Sequence, residues 1–255
     1  MPARDVALVT GAARRIGHTI ALALAADGWD VAVHYGRSKR AALATVRAVE
    51  ALGRRAAALP CDLADERAVR GLLAQVRAQL GSASCVVNNA SRFAFDDAAT
   101  FTVKRHAELA AINLGAPLVL AQTLARQLPR GAQGVVVNLL DQKLFNPNPD
   151  FLSYTLTKAA LAHATTLLAQ ALAPRVRVVG VAPGITLLSG DQSAAGFARA
   201  HRQTPLRRSS TPEDVAAAVV YLARARAVTG TTLLVDGGQH LVPSTRDIMF
   251  KTEKR

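Results

Sequence analysis

Seven short apolar runs, near residues 5–10, 30–35, 55–60, 84–89, 134–140, 175–182 and 231–236, alternate with longer alanine-rich stretches of helical character. Runs of this length read as buried strands, and the stretches between them are long enough for a crossover helix. A strand that returns through a helix lies parallel to its predecessor, and a parallel sheet needs cover on both faces. The alternation therefore predicts an α/β fold, a doubly wound parallel seven-stranded sheet with helices on both faces. With 50% hydrophobic residues in 255, the chain can bury that core as a single domain over 1–255. It has no internal repeat or low-complexity linker at which to divide.

The first unit reads as a phosphate site. Asp5 to Thr10 is a strand, Gly11-Ala-Ala-Arg-Arg-Ile-Gly17 is a turn, and His18 opens a strong helix former. Backbone N–H groups and the positive helix end then face an anion together. Gly11 lets the chain turn, and Gly17 lets the helix pack closely on the strand. An ordinary strand–helix turn would use the same glycines. The second strand, Trp29 to Tyr35, runs into Gly36-Arg37-Ser38-Lys39-Arg40 without an acid. An acid there would take the ribose hydroxyls of NAD, whereas arginine accommodates the extra phosphate of NADP, so NADP(H) is favoured. A solvated helix start accounts for Lys39 and Arg40 better than for Arg37.

Near the middle of the chain, Asp141, Tyr154 and Lys158 have the spacing of a proton-delivery site. Tyr154 and Lys158 lie four residues apart in an apolar helical segment, on one face. A cation held there is expected to lower the phenol's pKa toward working pH. Asp141 ends the apolar run Gly134 to Leu140, at the carboxyl end of a strand, where sheet enzymes place polar groups. Alone, a Tyr-x-x-x-Lys pair is equally a half-buried aromatic beside a solvated charge.

These pieces together resemble the short-chain dehydrogenase/reductase family over nearly the whole chain. Thr10-Gly-x-x-x-Arg-x-Gly17, Cys61-Asp62-Leu63, Asn88-Asn89-Ala90, Asn113, Tyr154-x-x-x-Lys158, Pro183-Gly184 and Asp236-Gly237-Gly238 stand in the family's order and at its separations. The resemblance implies a Rossmann-type sheet with NADPH as cofactor. It implies cofactor contacts from Gly11, Arg15, Ile16 and Gly17, then from His34, Tyr35, Arg37 and Ser38. Further contacts are implied for Asp62 and Leu63, for Asn89, Ala90 and Ser91, and for Tyr154 and Lys158. Pro183, Gly184 and Thr186 complete the set, with Thr186 near the nicotinamide carboxamide. Asn113 is implied to bind water and support Lys158 through backbone contacts.

Three departures narrow the resemblance toward pteridine reductases. Arg15 stands where most relatives have a second glycine, Asn88-Asn-Ala-Ser91 replaces Asn-Asn-Ala-Gly, and Asp141 replaces the usual serine. His34-Tyr35-x-Arg37-Ser38 and Phe93 add to the match. In such enzymes a pterin lies between the nicotinamide and an aromatic side chain, the place of Phe93. Arg15, Ser91, Asp141 and Tyr154 then meet the ring's polar edge, which suits a flat nitrogen-rich heterocycle. Leu187 and Leu188 are further expected substrate contacts. Competing readings stay open: Arg15 neutralising cofactor phosphates, Phe93 in loop packing, and Asp141 as a structural acceptor for the helix that carries Tyr154.

The expected reaction is reduction of a pterin C=N bond by NADPH, the substrate being a dihydropteridine such as dihydromonapterin or dihydrobiopterin, or dihydrofolate. Tyr154 would donate the proton, with Asp141 bonded to it and Lys158 on the nicotinamide ribose. For a dihydro substrate, Arg15 with an ordered water is the better proton source. One alternative is a reductase of a ketone, a keto-acyl thioester or a sugar, against which Asp141 argues, since a carboxylate is an unusual neighbour for a developing alkoxide. The other is a catalytically silent NADPH-binding or nucleic-acid-binding protein.

The formal charge of +13 is spread over scattered pairs such as Arg54 and Arg55, Arg175 and Arg177, and Arg207 and Arg208. No aromatics are interleaved, so steering of a polyanionic cofactor explains the sign better than nucleic acid. Cys61 and Cys85 form no metal or disulfide pattern, and dispersed histidines such as His163 read as core residues, so no metal is expected. No signal peptide precedes Arg4 and no apolar run approaches a membrane span, so a cytoplasmic protein without a membrane partner is expected. The helical stretches around 102–128 and 150–173 are apolar on much of their circumference. In the family these build the dimer interface of a homotetramer. Two segments stay irregular in this reading: a substrate loop at about 185–210, containing Asp191 and Phe197, and a tail at about 241–255, whose part from Leu241 to Met249 is expected over a neighbouring subunit's site.

Overall fold

The computed structural model describes residues 5–188 and 192–252, so Asp191 lies outside the described residues. All seven expected strands form: β1 Val6–Val9, β2 Asp30–Tyr35, β3 Ala56–Pro60, β4 Cys85–Asn88, β5 Gly134–Leu139, β6 Val176–Pro183 and β7 Thr232–Val235. They make one sheet in the order β3-β2-β1-β4-β5-β6-β7, every pair parallel. Strand order reverses between β1 and β4, and the crevice beyond their carboxyl ends is where such sheets bind ligands.

Alternation along β1 divides the core. Ala7 and Val9 face a cluster with Ile20, Leu24, Val49, Val215 and Val219, from helices α1 Arg15–Ala26, α2 Lys39–Ala51 and α8 Pro212–Arg224. Val6 and Leu8 face the opposite cluster with Leu72, Leu73, Leu120, Leu124 and Ala169. These come from α3 Glu66–Gln79, α5 Ala116–Gln127 and α6 Leu152–Leu172. Each fully buried leucine contributes about 1.5–3 kcal/mol of transfer free energy, so the two faces stabilise the sheet together.

The helix after the glycine turn starts at Arg15, three residues ahead of the expected His18, because the turn tightens directly into helical bonding. Helix α4 Val103–Ala110 continues through a π-helical turn, Ala111–Gly115, into α5. Contrary to expectation, Val103–Gln127 is long and apolar enough to cross a membrane by length and composition. Leu109, Leu120 and Leu124 are nonetheless buried in this fold, as in a core helix. His163 also departs from expectation: it is exposed on α6, a helix that presents Leu156 and Leu167 to solvent as well.

Much of the scattered cationic charge is engaged within the molecule. Asp30, fully buried, is held by Arg55 Nε at 2.8 Å and Arg54 Nη2 at 3.0 Å, and its carboxyl lies below the usual range because these hydrogen bonds and charges outweigh the cost of burial. Arg177 donates to the carbonyls of Leu222, Ala223 and Val228 at the end of α8. The substrate loop is less irregular than expected, since it contains α7 Ala194–Arg202, whose Ser193 hydroxyl accepts the Gly196 N–H. The tail folds onto its own chain through Arg246 to Asp150 and Lys143 to Asp247, ending in α9 Ile248–Thr252.

Thr211 caps α8 in a reciprocal box: its hydroxyl accepts the Asp214 N–H at 3.2 Å, and Asp214 accepts the Thr211 N–H at 2.9 Å. Thr211→Ala is therefore expected to cost about 1 kcal/mol, read as a lowered urea midpoint with an unchanged m-value.

Candidate active site

The crevice is held open by side chains that satisfy diverging backbone. Thr10 Oγ1 accepts the Asn89 and Ala90 N–H groups at 3.0 Å each, and Asn89 Nδ2 donates to the Thr10 carbonyl at 2.8 Å. Gly11 has φ +64°, and a Cβ on Gly17 would fall 2.3 Å from the Gly11 carbonyl oxygen. A side chain at either position would fill this cradle. The turn thus keeps the open backbone that a pyrophosphate needs.

His34 has a different role from the one the sequence suggested. Its Nδ1 accepts the Gly11 N–H at 3.0 Å, so Nε2 carries the proton and donates to the Cys61 carbonyl at 3.0 Å. Burial lowers its pKa, the ring stays neutral, and both nitrogens are used in bracing the turn. Tyr35 is likewise packed in the core cluster and offers little surface to a cofactor. Arg37 is exposed, and Ser38, at the start of α2, makes no side-chain capping bond, so both are available to an anion. Asp62 is exposed and accepts the Ala64 N–H, while Leu63 is buried.

Arg15 adopts φ +55°, a left-handed conformation that glycine would take without strain, and its Nη2 donates to the Leu188 carbonyl at 2.9 Å. It therefore ties the glycine turn to the substrate loop. Thr186 is buried on that loop, bonded to the Gly184 carbonyl and to Ser210. Leu187 borders the cleft, whereas Leu188 contributes its carbonyl to Arg15 instead.

Tyr154 sits in the first turn of α6, whose start is fixed by the buried Asp96 accepting both the N–H and the hydroxyl of Ser153. Its hydroxyl donates to Asp141 Oδ2 at 2.9 Å, and Asp141 Oδ1 accepts the Lys143 N–H at 2.8 Å. Lys158 Nζ donates to the Leu139 carbonyl at 2.7 Å and lies 5.8 Å from the Tyr154 ring centre. The electrostatics reverse the expectation of a lowered phenol pKa. Burial, then the Asp141 charge, raises Tyr154 well above its ordinary value. Burial also raises Asp141 and lowers Lys158 to about 8. The phenol is neutral because it is buried and bonded to an acidic neighbour, while Lys158 is turned toward a strand carbonyl.

Asn113 lies in the π-helical turn. It accepts the Arg92 N–H and the Ser91 hydroxyl, and donates to the Arg92 carbonyl and Thr157 Oγ1. Its side chain joins the Ser91 loop to α6. Phe93 is 43% exposed, stacked on Phe151 at 4.2 Å and edge-on to Tyr154 at 4.7 Å. One aromatic layer is therefore already built beneath a possible flat ligand.

These residues border a cleft of about 310 Å³. It brings together Arg15, Ile16, Asn89, Ser91, Phe93 and Asp141 with Tyr154, Lys158, Pro183, Gly184, Thr186 and Leu187. Its wall also includes Gln142 and Gln239, which the sequence reading did not single out, with Gln192 of the substrate loop and Asp247, Ile248 and Met249 of the tail. Adjacency to Asp141 was a usable signal for Gln142; the tail residues carry no local pattern. Among the described residues no cluster of three or more metal-ligating side chains occurs. Cys61 and Cys85 are free and buried, their thiols pushed up to about 11 and about 12 by burial.

A family model described as enoyl-(acyl carrier protein) reductase matches residues 11–240. The chain belongs to the short-chain dehydrogenase/reductase family. Among solved structures, FolM alternative dihydrofolate reductase 1 from Brucella suis, in complex with NADP, is 39% identical with a TM-score of 0.88, covering 96% of this chain and 98% of that one. A short-chain dehydrogenase from Burkholderia cenocepacia, also with NADP, is 36% identical with a TM-score of 0.85, over 92% and 97%. The 3-oxoacyl-acyl-carrier-protein reductase FabG of Staphylococcus aureus is 32% identical over 92% of this chain and 98% of its own. As a family member, this short-chain dehydrogenase/reductase is an oxidoreductase, and its glycine cradle has the open backbone that a dinucleotide cofactor requires.

Gly17→Ala tests that cradle. The added methyl meets backbone at 2.3 Å and Asn89 Nδ2 at 2.5 Å, so α1 must shift. The expected result is a loss of about 1–3 kcal/mol in stability, seen by thermal melting.

Proposed function

We propose that this short-chain dehydrogenase/reductase reduces a dihydropterin with NADPH. The observation that carries this reading is the buried Asp141 carboxylate accepting the Tyr154 hydroxyl inside the cleft. A carboxylate opposes a developing alkoxide but matches a ring edge that presents amino and N–H donors. The stacked Phe93 and the likeness to a solved dihydrofolate reductase support the same class.

Bound NADPH would supply a hydride to carbon of a ring C=N bond. Gly11, Gly17, Arg37 and Ser38 would hold the cofactor's phosphates, and Lys158 its nicotinamide ribose. Phe93 would position the pterin against the nicotinamide. The nitrogen takes the accompanying proton. For the nitrogen facing Tyr154, the phenol donates while hydrogen-bonded to Asp141, and a proton from solvent then restores the phenol. For the far nitrogen, a water held by Arg15 would deliver the proton, replaced in turn from solvent. With a fully oxidised pterin, whose reduced nitrogen faces the phenol, Tyr154→Phe and Asp141→Asn are each expected to reduce turnover by about 10²–10⁴-fold while leaving NADPH affinity near wild type. Full activity in either variant would refute the scheme.

Lys158 gives a pH signature. Because burial lowers its pKa to about 8, the ligand-free protein loses this charge as pH rises through about 8. NADPH affinity should weaken above that pH, by fluorescence titration, and Lys158→Met should flatten the dependence. Stability moves oppositely: the unfolded chain holds more protons on this lysine between about 8 and 10.5, so its contribution to stability rises with pH across that window.

A second reading, reduction of a keto-acyl thioester, draws on the likeness to FabG. NADPH oxidation against dihydropterins, dihydrofolate, ketones and keto-acyl thioesters separates the two. Turnover confined to thioesters or ketones would overturn the pterin reading.

A further inference from the structure

Gln142 opens the 3₁₀ turn directly after Asp141, and its side-chain Oε1 is buried without a hydrogen-bond partner. Of the buried, unpartnered side-chain polar atoms among the described residues, it is the one whose residue borders the cleft. Its position is not slack: the Gln142 carbonyl accepts the Phe145 N–H at 2.9 Å, and the turn is pinned by Asp141 on Lys143. The same residue also borders a smaller polar pocket of about 60 Å³ beneath the tail.

The neighbouring acceptors are already engaged. Asp141 receives Tyr154 and the Lys143 amide, and Asp247 receives Lys143 Nζ at 3.3 Å and the Met249 amide at 3.1 Å. A buried acceptor left unpaired is unfavourable, and it is retained where a ligand supplies the missing donor. Asp141, Gln142 and Asp247, each bearing a side-chain acceptor, all border the cleft. A ketone or a thioester has no N–H to offer these acceptors.

Resting on the pterin reading, we propose that Gln142 is a substrate-binding residue that selects for an amino donor on the edge of the substrate heterocycle. Its amide oxygen, covered in the ligand-free protein, turns into the cleft to accept the substrate's hydrogen bond. It takes no part in proton transfer, so its effect falls on KM and leaves kcat near wild type.

The test compares two substrates on the full-length enzyme with NADPH: 6-methyl-7,8-dihydropterin and its analogue carrying methyl in place of the 2-amino group. Wild-type enzyme should prefer the amino compound by about 10-fold or more in kcat/KM. Gln142→Met, similar in length and without an acceptor, should lose most of that preference through KM. The ligand-free variant should melt at or above wild type, because an unsatisfied acceptor has been removed. A variant that keeps the wild-type preference, or that melts lower and loses both substrates equally, overturns the proposal. Should Gln142→Met fail to fold, Gln142→Leu carries the same comparison. Absence of dihydropterin turnover by the wild-type enzyme removes the pterin reading and this inference together; turnover with an unchanged preference in the variant removes the inference alone.

Discussion

Where β1 and β4 part company, backbone groups that a sheet would have paired must find other partners, and the rest of the site depends on how this is done. An unpaired buried amide is costly, and water cannot be the remedy in a crevice that must later hold a ligand. Thr10 and Asn89 meet the requirement from opposite strands, each using a short polar side chain to hold the other's backbone. His34 extends the bracing to β3 by joining Gly11 to Cys61. The glycine turn therefore rests on a network spanning neighbouring strands, and its open backbone is rigid before anything binds.

The wall that carries Asp141, Tyr154 and Lys158 follows a contrary logic, since its groups are placed where burial works against them. Asp141, Tyr154 and Lys158 all lie in low-dielectric surroundings, and in each the neutral form is favoured by desolvation. At Asp141 hydrogen bonds and the Lys158 charge offset part of that cost, whereas at Tyr154 the Asp141 charge and hydrogen bond add to it, so the phenol keeps its proton in the ligand-free protein. The left-handed Arg15 belongs to the same pattern of local strain retained beside a site.

The sheet was legible because its signal is distributed: seven apolar runs and the crossovers between them agree, and a misplaced boundary changes nothing. Asp141, Tyr154 and Lys158 were legible because strand ends and a helical four-residue spacing place them with little help from the rest of the chain. What failed was whatever depended on partners distant in sequence. His34 sits beside the cofactor motif in sequence, yet its direction is set by Gly11 and Cys61. The phenol pKa runs opposite to the expectation because burial and the Asp141 charge raise it, and no local pattern announces the depth of burial. The tail residues Asp247 to Met249 reach the cleft only because Asp150, almost a hundred residues earlier, holds Arg246.

That last feature bears on how the protein is made. The strands and glycine turn of the dinucleotide crevice are encoded in the first ninety or so residues, whereas the opposite wall of the cleft is completed by Ile248 and Met249. During synthesis from the amino end, the crevice is available to form long before the wall that would discriminate among substrates. A chain clipped within its last ten residues would keep its sheet and its nucleotide cradle and lose part of its selectivity. Activity toward unintended substrates would thus report the integrity of the carboxyl terminus.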